Sequence, residues 1–153
     1  MCENREELLG GIIEEILTYH ADGSLISHEW LRKKCGLETP IISDFADTRE
    51  FLETYQATQF AYMGIVDAIR WELLENENMY LKNVRGDGYE ILNPKDQTQF
   101  GYDRFIDNLR KLMKETSLIM NNVKAVNGEQ QAKDNDLRAK YASMKAMLES
   151  IKN

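Results

Sequence analysis

Long stretches of helical period dominate the chain, and one short stretch of strand character interrupts them. Leu8, Leu9, Ile12, Ile13, Ile16 and Leu17 fall on one helical stripe, with Asn4 and Glu7 placed ahead of it as a capping box. His20-Ala21-Asp22-Gly23 stops that helix, and Leu25-Ile26 is a short extended piece. Ser27 caps a second helix over His28–Cys35, which Gly36 ends as a left-handed stop. Trp30 and Leu31 turn inward, and Arg32, Lys33 and Lys34 form the polar face. A loop over 36–46 contains Pro40. Asp47 or Thr48 then caps a long third stretch that carries Phe51, Leu52, Tyr55, Phe60, Ile65, Val66, Ile69, Leu73 and Leu74 to about Glu75. It runs unbroken or breaks near Ala57–Thr58.

Tyr80–Leu92 reads as a β-hairpin turned by Arg85-Gly86-Asp87-Gly88, because Asp-Gly is a strong turn signal and Gly takes positive φ without steric cost. A lone hairpin is marginal in water, so the preceding helices must cover its apolar face. Asn93-Pro94-Lys95-Asp96 breaks the chain. A fourth helix follows from about Asp103, with Phe105, Ile106, Leu109, Leu112, Met113, Ile119, Met120 and Val123 as its buried stripe. After Asn127-Gly128, Leu137, Tyr141, Met144, Leu148 and Ile151 are spaced 4, 3, 4 and 3, a seam of about two heptads. That seam pairs two copies as a short coiled coil or folds back on the fourth helix as a hairpin. The fold expected is mainly α with a small β-hairpin, a winged helix-turn-helix over residues 1–92 with C-terminal helices over 93–153.

Two motifs resemble the effector domain of OmpR/PhoB-type response regulators. Ser27, Glu29 and Leu31 match the start of its second helix, after Gly23-Ser24-Leu25-Ile26. Val84, Arg85, Gly86, Gly88 and Tyr89 match its wing. The resemblance covers roughly residues 6–92, without a receiver domain. It implies a third helix in the DNA major groove and a wing on the backbone or minor groove. The expected function is therefore that of a small DNA-binding regulator, of a kind suited to a phage or mobile element. Candidate phosphate contacts are Arg32, Lys33, Lys34, Arg70, Lys82 and Arg85. Gln56, Thr58, Gln59 and Tyr62 form an uncharged polar patch suited to base edges.

Charge opens the alternative. The chain carries 19 Lys/Arg against 26 Asp/Glu, a net of −7. Residues 1–92 hold 8 cations against 18 carboxylates, whereas affinity for nucleic acid comes largely from neutralising phosphates. An acidic winged helix instead suits a protein that occupies the basic, nucleic-acid-binding face of a partner. The expected partners are double-stranded DNA or such a basic protein, with a homodimer through the C-terminal helices.

Enzyme chemistry finds no footing in the sequence. His20 and His28 are the only histidines, Cys2 and Cys35 have no CxxC spacing, and no Gly-rich phosphate loop occurs. No cofactor is expected. No apolar run reaches the ~18 residues of a membrane span, and no secretory signal is visible, which leads to the expectation of a cytoplasmic protein.

Overall fold

The computed structural model describes residues 2–124 and 127–150. It is mainly helical, with a small antiparallel sheet, in the order α1 (Cys2–Tyr19), β1 (Leu25–Ser27), α2 (His28–Cys35), α3 (Thr48–Asn76), β2 (Leu81–Val84), β3 (Gly88–Ile91), α4 (Pro94–Asn121) and α5 (Gly128–Ser150). The loop between α2 and α3 contains one 3-10 turn, Ile42–Asp44. Contacts divide the chain into two compact units, 1–98 and 99–153.

In the first unit the local signals act as their chemistry dictates. The Ser27 side chain accepts from the Trp30 backbone N–H, and Gly36 closes α2 at φ 64°. The Asp47 side chain accepts from the Arg49 N–H, and α3 then runs unbroken for 29 residues, about 43 Å at ~1.5 Å per residue. α1 already runs from Cys2, so Asn4 lies within the helix rather than at its cap. The hairpin turns at Gly86, φ 87°.

The sheet has three strands, in the order β1-β3-β2. Leu25 to Ser27 pair antiparallel with Glu90 to Gly88, and Leu81 to Val84 pair with Ile91 to Gly88. Gly88 is therefore a strand residue. A Cβ there would stand 2.0 Å from the Ile26 carbonyl oxygen, so β1 can lie against β3 only because the side chain is absent. Further backbone bonds join Gly23 N–H to Ile91 O (2.7 Å) and Ile91 N–H to Ser24 O (2.9 Å).

One core closes over this sheet. Ile12 and Ile16 of α1, Ile26 of β1, Leu31 and Cys35 of α2, Tyr62, Val66, Ile69 and Leu73 of α3, and Leu81, Tyr89 and Ile91 of the hairpin are buried together. Ile13 and Trp30 pack against its edge. Trp71 of α3 stays exposed.

The second unit is a pair of helices. α4 starts nine residues before the expected Asp103, because Pro94 takes the first helical position, where its missing N–H costs nothing. α5 lies along α4. The Tyr141 hydroxyl shares a 2.9 Å hydrogen bond with Ser117 Oγ and donates to Met113 O at 2.7 Å, and Arg138 Nε donates to Met120 O at 2.9 Å. Of the expected α4 stripe only Ile106 and Met113 are buried; Phe105, Leu112, Ile119 and Val123 are exposed. One neighbouring helix covers only one side of a stripe that wide. Ile151 lies outside the described residues. Among the described residues no helix is long and apolar enough to cross a membrane.

Candidate interaction surface of the first unit

α3 is two-faced, and its spacing explains why. Tyr62, Val66, Ile69 and Leu73 recur at 4, 3 and 4 and point into the core. Roughly half a turn away, Glu53, Ala57, Phe60, Gly64, Asp67, Trp71 and Glu75 form a second stripe, all exposed. Phe60 is 73% exposed and Trp71 62%. Gly64 would admit a Cβ without contact, so its smallness is not demanded by the chain's own packing. The outward face of α3 is thus apolar in its middle and acidic along its length.

Its own cations offset only part of that acidity. α3 has two arginines against five carboxylates. Arg49 pairs with Glu53 at 2.9 Å, and Arg70 pairs with Asp67 at 3.2 Å while lying 5.4 Å from the Tyr89 ring centroid. The other candidate cations are also largely engaged within the unit. Arg32 stacks 4.1 Å over the Tyr62 ring and donates to Gln59 Oε1 at 2.7 Å. Lys34 pairs with Glu15 and lies over Trp30. Lys82 pairs with Glu90, its partner across the hairpin, at 3.3 Å. Lys33 and Arg85 alone of the six phosphate candidates meet no partner among the described residues.

The polar patch expected on α3 is dispersed by its helical phase. Gln56 is exposed and Thr58 half-buried; Gln59 turns back to Arg32; Tyr62 is buried. Tyr62 belongs to a network that sequence reasoning missed. Its hydroxyl shares a 2.8 Å hydrogen bond with His28 Nδ1, and the His28 ring meets the Tyr62 and Tyr89 rings edge-on. Burial pushes the Tyr62 phenol up to about 12. Burial first, then the Arg32 guanidinium, lowers His28, against a smaller opposing pull from Asp87. A neutral imidazole is therefore favoured here. The His28 backbone N–H donates to Asp87 O in the hairpin turn at 3.0 Å, which ties the start of α2 to that turn. The network is structural: it joins α2, α3 and the hairpin.

Sequence reasoning found the carboxylates of α3, Glu50, Glu53, Asp67, Glu72 and Glu75, as an acidic face but missed the exposed aromatics among them. Their signal was present in the 53–75 spacing, but Phe60 and Trp71 are of types usually assigned to a core.

Among the described residues no group of three or more His, Cys, Asp or Glu stands where it could hold a metal ion. Cys35 is a free, buried thiol whose titration burial pushes up, as for an inert core cysteine. Comparison with known protein families, curated proteins and solved structures finds no match to this chain.

Proposed function

We propose that residues 1–98 form a winged helix that binds a protein rather than DNA, with the outward face of α3 as its docking surface. The partner is a protein whose own surface is basic around an apolar centre, of the kind that otherwise holds nucleic acid. The chain would act by occupying that face. The observation that carries this reading is the composition of the outward α3 stripe: Phe60 and Trp71 exposed, with Glu53, Asp67 and Glu75 beside them. A helix entering the major groove meets phosphate on both sides and needs cations there. Exposed aromatics rimmed by charge are instead the usual anchors of a protein interface. Complementary charge would steer a basic partner to the site. On the same reading the chain self-associates through its C-terminal helices.

The reading as a DNA-binding regulator draws support from Arg85 at the hairpin tip and Lys33 on α2, both exposed and unpaired. One pair of titrations separates the two. A labelled mixed-sequence duplex at low salt, followed by anisotropy, is expected to show no binding. A basic amphipathic helical peptide of lysine, leucine and alanine is expected to shift Trp71 emission to the blue. Trp71→Phe should remove that shift. Phe60→Ala or reversal of Glu53, Asp67 and Glu75 to lysine should abolish the binding, and Arg85→Ala should leave it intact. Duplex binding that weakens with Arg85→Ala would replace this reading with the DNA one.

A further inference from the structure

The second unit leaves one face uncovered, and the pattern on that face specifies what covers it. Positions 102, 105, 109, 112, 116 and 119 of α4 repeat at intervals of three and four, and Val123 follows just beyond the end of the helix. Phe105 is 55% exposed, Leu112 59% and Ile119 65%. α5 covers a different side of α4, through Ile106 and Met113. On α5 the two exposed residues of its own seam, Leu137 and Met144, lie seven apart. Leu137 shares a shallow cleft of about 340 Å³ with Ile119 and Val123, so the exposed stripes of the two helices open onto one face of the hairpin.

We infer that this face packs against a second copy of the chain, and that the two hairpins make a four-helix bundle. The inference rests on the proposal that the C-terminal helices self-associate and adds the surface and the register. Two observations select a second copy. The first is area. Phe105, Leu112, Ile119, Val123, Leu137 and Met144, each about half exposed, present on the order of 500 Å² of apolar surface, at the upper end for a monomer's largest patch. With their polar edges they approach the ~800 Å² per partner of a standard interface.

The second observation is charge. Residues 99–153 carry 10 cations against 7 carboxylates, so two copies repel weakly, and the edges of the face complement one another. Glu115 borders the stripe on α4, and Lys140 borders it on α5. The bonds from Tyr141 to Met113 and Ser117 put the two at the same height. A two-fold axis parallel to the helices sets each α4 antiparallel to the α5 of the other copy. Glu115 then meets Lys140 of the second copy, and does so twice. Lys140 would exchange its pairing with Asp136, an exposed i,i+4 pair of small worth.

Sedimentation velocity of the full chain tests this. The expected mass is twice 17.8 kDa. Leu112→Asp and Ile119→Asp should each give a monomer whose far-ultraviolet circular dichroism is unchanged. Glu115→Lys and Lys140→Glu should each weaken the dimer several-fold, and the double exchange Glu115→Lys/Lys140→Glu should restore it. A monomeric wild-type chain would overturn self-association as a whole. A wild-type dimer that survives Leu112→Asp would overturn this face alone, and failure of the double exchange to restore the dimer would overturn the antiparallel register.

Discussion

The two units of this chain solve the same problem with different success. In residues 1–98 three helices and three strands close around a core to which every element contributes, from Ile16 of α1 to Ile91 of β3. In residues 99–153 two helices share one line of contact, and among the described residues only Ile106 and Met113 become buried. The difference is geometric rather than compositional, since both units are rich in apolar residues at helical spacing. A stripe wider than one helix-to-helix contact needs more than one neighbour. α3 has α1, α2 and the sheet around its buried side; α4 has α5. What remains apolar and exposed is then a surface for something else.

That contrast can be broken first at the centre of each unit. Leu73→Ala should cost about 2–5 kcal/mol, because Leu73 is fully enclosed and its cavity cannot collapse. Met113→Ala should cost less, since solvent beside it lets the site relax. Denaturant unfolding followed by circular dichroism measures both, and an equal cost would show that the second unit is as closed as the first.

Gly88→Ala comes next, at about 1–3 kcal/mol by overpacking β1 against β3. Gly64→Ala on the outward face of α3 should be neutral or slightly stabilising, because nothing stands within 4 Å and Ala is the better helix former. The pair is read by thermal melts, and a neutral Gly88→Ala would remove the close strand approach from the account.

Asp47→Ala should cost about 1 kcal/mol through loss of the α3 cap. A melt unchanged by this substitution would show that core packing alone holds the first turn.

The smallest effect concerns pH. Both histidines lie in the first unit. His28 is lowered from its ordinary value, so the unfolded chain binds its proton more readily than the folded one. Its contribution is therefore complete above ~6.5 and declines as pH falls below that value. Tyr62 runs the other way: its contribution is complete below ~10 and is lost as pH rises through about 12. His28→Asn should flatten the acid limb of a stability-against-pH curve. An acid limb that persists unchanged would assign it to carboxylates.

Much of the first unit was legible in the sequence because its signals are local. Ser27, Gly36, Asp47 and Gly86 each act on backbone groups within a few residues, so their chemistry fixes α2, the start of α3 and the turn without reference to the rest of the fold. The apolar period likewise determined that α3 has a buried side. What the sequence could not decide is where side chains with two plausible partners go. Arg32 and Gln59, read as separate DNA contacts, satisfy one another across 27 residues because packing α2 on α3 brings them together. Tyr62 looked polar by type, yet its helical phase places it with Val66 and Ile69. Gly88 belonged to a turn by its neighbours, and only the pairing of β1 with β3 shows that a carbonyl occupies the space of its missing side chain. Phe60, Trp71, Phe105 and Leu112 carry the same lesson on the surface. Apolar character and spacing are properties of the chain, but burial depends on how many neighbours arrive, and that number is set by tertiary structure.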